Sequence, residues 1–199
     1  MTVTAVEDAR QAILDSAVAI FARKGYAGAS VQDILQATGL SKPTLYYYFK
    51  SKAGLFQAIL DSAYDESFRL MKEAADAKST CEHRLAAVAT AVFDFAEQNR
   101  NLMRLVLATV FAAPEEIPPG SVNLSKRRRN FEFVLGIIRG AQGAGEIDSR
   151  YDALELTHGI FGAVSHQVRT HLLMPEGRLD RRRAESIVSL FLNGARKRK

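Results

Sequence analysis

Apolar residues recur at intervals of three and four along almost the whole chain, and nowhere do they alternate over the length of a strand. Ile13, Ala17, Ile20 and Phe21 form one stripe, which predicts an amphipathic helix over residues 7–24, closed by Lys24-Gly25. Ser30 caps a second helix, with Asp33 completing a capping box, and Gly39 ends it. Ser41 caps a third, which tolerates Pro43 in its first turn. Ser51 opens a fourth, with Leu55, Phe56, Ile59, Leu60 and Ala63 inward, running into the low seventies. Further helices are predicted over 82–98, 99–111, 121–144, 152–174 and 180–195. Pro114, Pro118, Pro119 and Gly120 break the pattern, as do Gly143, Gly145 and the Pro175-Glu176-Gly177 turn. The prediction is an all-α chain of about nine helices without internal repeats.

The 199 residues are 47% apolar and 25% charged, which is ordinary globular composition. The net charge of +5 permits nucleic acid as a partner without requiring it. A single cysteine, Cys81, excludes an internal disulfide framework and a thiolate-rich zinc site. Glu7 and Asp8 stand where a secretory signal would be basic, and the apolar stretch from Leu102 to Ala113 is too short to span a bilayer. A cytoplasmic protein with no membrane association is expected. No phosphate-binding glycine loop, HExxH or GxSxG is present, and His83, His166 and His171 lack metal-ligand spacing. His158 with Arg104 could at most suggest a small helical enzyme, but no nucleophile or paired carboxylates accompany them. No enzyme activity, cofactor or metal is expected.

Two short helices joined at Gly39, the second beginning Ser41-Lys42-Pro43-Thr44, describe a helix-turn-helix. Leu45 and Phe49 supply the inner face of the second helix. Lys42, Thr44, Tyr46, Tyr47 and Tyr48 are left for the outside. Three consecutive tyrosines cannot all be buried by one stripe, and a tyrosine hydroxyl can donate to a phosphate. Gln32 can pair with adenine, Lys42 can reach guanine, and Pro43 and Thr44 can touch a thymine methyl.

The run ASVQDILQATGLSKPTLYYYFKSKAGLFQAIL, Ala29 to Leu60, closely resembles the tetracycline-repressor (TetR) family of bacterial transcriptional regulators, and AILDSAVAIFARKGY before it resembles that family's first helix. Leu35 and Thr38 depart from the alanines common there, away from the DNA-facing side. The resemblance implies a DNA-binding domain over residues 6–66 and an effector-binding and dimerisation domain over 67–199. It implies phosphate contacts from Ser30, Tyr47, Tyr48 and Lys52, and contacts to bases or the groove floor from Gln32, Lys42, Pro43, Thr44 and Tyr46. Lys52 opposes the dipole at its helix start, which suits a phosphate anchor better than it suits stability. The function implied is a repressor that binds double-stranded DNA at a palindromic operator as a homodimer and is released by a small, mainly apolar ligand. The alternative is a constitutive or protein-regulated factor whose cavity is filled by side chains.

Charge placement bears on the dimer. Residues 1–50 carry a net charge of only +1, so one head is a weak electrostatic clamp. Residues 178–199 carry +6, which fits a solvated helix start and a frayed terminus. Lys126-Arg127-Arg128-Arg129 spreads around one turn. Gly159, Gly162 and Ala163, with Ile187, Val188, Leu190 and Phe191, suit a dimer interface or packing within the monomer. Phe93, Met103, Arg104, Phe111, Phe131, His158 and Phe161 are the candidate effector-binding residues.

Overall fold

Ser30 and Ser41 each hold extended backbone, with a side-chain oxygen that accepts the N–H three residues on, and a helix starts at each. These are two of nine helices in a computed structural model that describes residues 3–113, 115–174 and 178–195, apart from the side chains of 3–7, 111, 194 and 195. The helices are α1 (Val3–Gly28), α2 (Val31–Thr38), α3 (Lys42–Phe49), α4 (Lys52–Asp76), α5 (Cys81–Gln98), α6 (Arg100–Phe111), α7 (Leu124–Gly143), α8 (Ala153–Leu173) and α9 (Arg181–Ala195). No strand occurs among the described residues. Pro114, the Pro175-Glu176-Gly177 turn and the basic residues 196–199 lie outside them. Gly25, at φ 70°, interrupts α1 near the predicted stop.

The helices divide into two compact units. The first comprises the chain up to Ala63 together with Arg100–Asn123. The second comprises Tyr64–Asn99 and the chain from Leu124 onward. The division falls close to the sequence boundary at 66, but α6, which the sequence assigns to the C-terminal domain, packs along α1. Leu105 and Val106 are the buried residues that bind it there.

In the first unit, Ile13, Ala17, Phe21, Ile34, Leu45, Leu55, Phe56 and Leu60 are almost wholly buried. Phe21 meets Phe56 edge-on with ring centroids 5.2 Å apart, and Tyr26 closes the triad 5.0 Å from Phe56. The α2–α3 turn is laced by polar groups. Gly39 sits at φ 67° and donates its N–H to the Leu35 carbonyl. Thr38 donates its hydroxyl to the Ile34 carbonyl and accepts the Leu40 N–H, so this departure from alanine adds a bridge across the turn. At the start of α2, Asp33 accepts from Lys24 and from the Ser30 N–H, completing the predicted capping box.

In the second unit, α5 packs along α9 and against α7 and α8. Met71, Leu85, Ile138, Ile160 and Val188 lie in one apolar cluster. Glu146 accepts the Cys81 N–H at the start of α5, and Glu97 pairs with His171 at 2.8 Å. Burial pushes the Cys81 thiol up to about 11, which makes it an inert packed thiol.

Two predictions come from the caps and the turn. A β-carbon on Gly54 would stand 2.2 Å from the Phe49 carbonyl oxygen, a backbone atom that cannot swing aside. Gly54→Ala should therefore cost about 2–4 kcal/mol, read as a fall in the urea midpoint of the isolated protein. The Lys24 ammonium and the two Ser30 donors hold the Asp33 carboxyl at about 2, below its ordinary 3.8. A depressed folded value means the stability is present above about pH 4 and is lost as pH falls toward 2. Asp33→Asn should flatten that part of the acid-unfolding profile; a profile unchanged by the substitution contradicts the assignment.

Candidate nucleic-acid interface

The second helix of the pair, α3, is sealed on one side and open on the other. Leu45 is fully buried and Phe49 is 5% exposed, so the helix rests on its i and i+4 positions. Tyr46 is 38% and Tyr47 78% exposed, while Tyr48 is half-buried with its ring edge-on to Tyr47 at 5.1 Å. The outward tyrosines are those the single-stripe reasoning requires. Lys42 and Pro43 are exposed at the start of the helix, with the Lys42 ammonium 5.8 Å from the Tyr46 ring. Gln32 is exposed on α2. Thr44, half-buried, shares its hydroxyl with Ser41 at 2.7 Å. Ser30 uses its hydroxyl as the α2 cap.

Lys52 is held against the end of α1 in this DNA-free structure. Its ammonium donates to the Tyr26 carbonyl at 3.0 Å and to the Ala29 carbonyl at 2.9 Å, and lies 4.2 Å from the Tyr26 ring centroid. It thus ties the start of α4 to the segment between α1 and α2. The unfavourable dipole is offset by two charge-assisted hydrogen bonds and a cation–π contact. The carbonyls come from residues 26 and 23 positions away, and nothing in the local pattern announces where they point. Gly54 was also missed, although a glycine in the first turn of a long helix is itself a signal, since alanine would be favoured there by about 1 kcal/mol without a steric reason.

The candidate effector residues are drawn from both units. Met103 and Arg104 belong to the first unit, where Arg104 joins Phe21, Tyr26, Phe56, Leu105 and Thr109 around an open cavity of about 360 Å³. Phe93 belongs to the second unit and is fully buried as core. The side chain of Phe111 lies outside the described residues. Phe131, His158 and Phe161 do come together, with ring centroids 4.7 and 5.5 Å apart. They line an open groove of about 450 Å³ with Leu124, Arg127 and Arg128. A further apolar cavity in that unit, bordered by Met71, Val88, Val92, Val134, Phe161 and Val164, measures only about 50 Å³. Helical phase tells which side of a helix is apolar but not which helix it meets, so it cannot separate candidates on α5, α6, α7 and α8.

The stripe on the last two helices also divides. A β-carbon on Gly159 would lie 2.9 Å from the Phe191 ring, so this glycine lets α9 settle on α8 within the chain. Val188 is fully buried, whereas Leu190 and Leu173 are 78% and 76% exposed. No group of three or more potential metal ligands and no helix long and apolar enough to cross a membrane occurs among the described residues.

Comparison with known proteins agrees with this geometry. Residues 13–59 match the profile of bacterial regulatory proteins of the tetR family. The chain is 29% identical over 111 residues to the HTH-type transcriptional activator FasR of Mycolicibacterium smegmatis, covering 56% of this chain and 51% of that one. It is 40% identical over 86 residues to the HTH-type transcriptional repressor ComR of Escherichia coli, covering 43% of this chain and 38% of the relative. The chain thus spans about half or less of those relatives' length. Its fold matches that of the transcriptional regulator FadR from Bacillus subtilis, solved in complex with stearoyl-CoA, with a TM-score of 0.74 at 24% identity, over 92% of this chain and 98% of that one. The sealed and capped α2–α3 pair thus lies within a tetR-type regulatory domain match over residues 13–59, and the chain shares the all-helical fold of that neighbour.

Proposed function

We propose that the protein represses transcription by occupying a palindromic operator as a homodimer, with α3 of each head in the major groove. The observation that carries this is the outward presentation of Tyr46 and Tyr47 over an inner face closed by Leu45 and Phe49. In this reading Lys42, Pro43, Thr44, Tyr46 and Gln32 meet bases or the groove floor, while Ser30, Tyr47 and Tyr48 meet phosphates. Repression needs only occupancy of the operator, which the heads supply, whereas activation needs a further contact with the transcription machinery. The exposed Leu173 and Leu190 on α8 and α9 offer apolar surface for pairing two copies.

The proposed trigger is a small, mainly apolar ligand in the second unit. The aromatic groove of Phe131, His158 and Phe161 supports this as a place with both apolar area and neighbouring arginines. The alternative, a factor without a small-molecule switch, is favoured by one observation. The small apolar cavity of that unit holds about 50 Å³, against roughly 300–1,000 Å³ for ordinary ligand pockets.

Selection from a random DNA pool should return a palindrome whose half-sites are separated by whole helical turns of about 10 bp. Tyr47→Phe should weaken binding to all sequences, and Thr44→Ala or Gln32→Ala should change base preference. Non-palindromic output, or indifference to all three substitutions, rejects the docking. Straight-chain fatty acids and acyl thioesters, added at about 100 times their dissociation constant, should raise the melting temperature by about 5–10 °C and lower operator affinity if the switch exists. No shift with any of them favours the unswitched reading.

A further inference from the structure

We propose that the first unit carries a small-molecule site of its own, in the cavity between the end of α1 and α6, and that this site takes a flat aromatic acid. The site is separate from the trigger proposed for the second unit. Binding there does not depend on the operator reading; its effect on DNA rests on that reading.

Every residue around the cavity belongs to the first unit. Its volume of about 360 Å³ falls within the roughly 300–1,000 Å³ of ordinary ligand pockets, whereas the small apolar cavity of the second unit holds about 50 Å³. The space exists because Ala22 of α1 and Ala108 of α6 border it, where larger side chains would fill it. Gly25, at φ 70°, turns the chain out of α1 beside it. Phe21 and Phe56 lie almost wholly covered beneath, and half-buried Tyr26 is the ring that reaches the cavity. The three ring centroids are 5.0–5.9 Å apart, so Tyr26 is held as a rigid platform on which a further ring can stack. The charged groups on the wall are Arg104, Lys24 and Glu116, a net of one positive charge. A planar guanidinium matches a carboxylate in shape as well as sign. An aromatic platform beside that fork selects a flat body carrying one carboxylate.

Two wall residues also hold the helix pair. Lys24 donates to Asp33 at 2.9 Å, the acid of the α2 capping box. Tyr26 accepts from Lys52 at its carbonyl and carries the same ammonium 4.2 Å from its ring centroid, at the start of α4. A carboxylate at the wall competes with Asp33 for Lys24, and a ring stacked on Tyr26 presses on the tie to α4. Occupancy therefore disturbs the seating of α2 and lowers DNA affinity.

The test titrates full-length protein with 1-naphthoate, followed by the fluorescence of the probe, and with the neutral 1-naphthamide. The acid should bind about 10-fold more tightly than the amide, and Arg104→Gln should erase that preference. Ala108→Phe, at an exposed position of α6, should fill the cavity and abolish binding. If that variant does not fold, Arg104→Gln decides through the acid–amide comparison. Phe131→Ala, in the groove of the second unit, should leave binding unchanged. Asp33→Asn, which removes the competitor for Lys24, should tighten the acid. Saturating 1-naphthoate should weaken operator binding by about 5-fold or more, and operator DNA should weaken 1-naphthoate by the same factor. No saturable binding, equal affinity for acid and amide, or full binding in a folded Ala108→Phe overturns the site. Loss of binding in Phe131→Ala overturns it too, by placing the ligand in the second unit. Bound 1-naphthoate that leaves operator affinity unchanged, or that ignores Asp33→Asn, overturns the coupling. A wild-type protein with no preference for any palindrome is a failure of the operator reading, recognisable as such because the naphthoate titrations contain no DNA.

Discussion

A helix of eight residues has too few internal hydrogen bonds to persist in water, and α3 is such a helix. It exists because Leu45 and Phe49 are buried beneath it and because both of its ends are tied. Ser41 receives the N–H of Thr44 at one end. At the other, Lys50 and Ser51 turn the chain so closely that Gly54 has no room for a β-carbon. The outward rings inherit their direction from that attachment. Were Leu45 and Phe49 to lift, Tyr46 and Tyr47 would compete for the same apolar ground, and no presented face would remain. The presented face is thus a consequence of how firmly a short element is held from behind.

Much of this was legible in the sequence. The nine helices were readable because caps and glycines mark their ends, and because period-3.6 stripes survive without knowledge of neighbours. The capping box of Ser30 and Asp33 is a local device, and it formed as read. The outward placement of tyrosines followed from counting how many rings one stripe can bury. What was not legible depends on separate stretches of chain meeting. Lys52 finds carbonyls near residue 29 only because α4 starts beside the end of α1. The packing of α6 on α1 joins residues about ninety apart, and no periodicity encodes it. The effector candidates come from both units for the same reason. Phe93 is core, Arg104 belongs with the head, and Phe131, His158 and Phe161 share a wall.

That division constrains any ligand switch. The second unit's apolar cluster is closed around residues such as Ile138, Ile160 and Val188, and its larger spaces are open grooves. A ligand entering the core would have to displace side chains, and its binding energy would be reduced by the cost of that opening. A ligand on the aromatic groove meets a preformed surface but excludes less water. Either way the ligand changes DNA affinity only through its different affinity for two conformations of the whole chain. The covalent routes between the units are the steps at 63–64, 99–100 and 123–124, the first of them inside α4.

The modest charge of the head then decides how binding energy must be gathered. Residues 1–50 carry a net +1, and of the neighbouring cations Lys24 is paired with Asp33 and Lys52 with backbone carbonyls. Arg10 rests its guanidinium 5.5 Å from the Phe49 ring. Few cations are therefore left to release counterions from DNA, so a single head has little sequence-independent affinity. In the proposed docking, contacts from tyrosine hydroxyls, Gln32 and Thr44 would be directional and short-ranged, contributing only in correct register. A reader built this way would discriminate well but hold weakly. Pairing two such readers multiplies the discrimination and makes the second contact effectively intramolecular. For the proposed dimer the same arithmetic would make release easy, because a small change in the spacing of two heads would remove the second contact and leave a single weakly bound head.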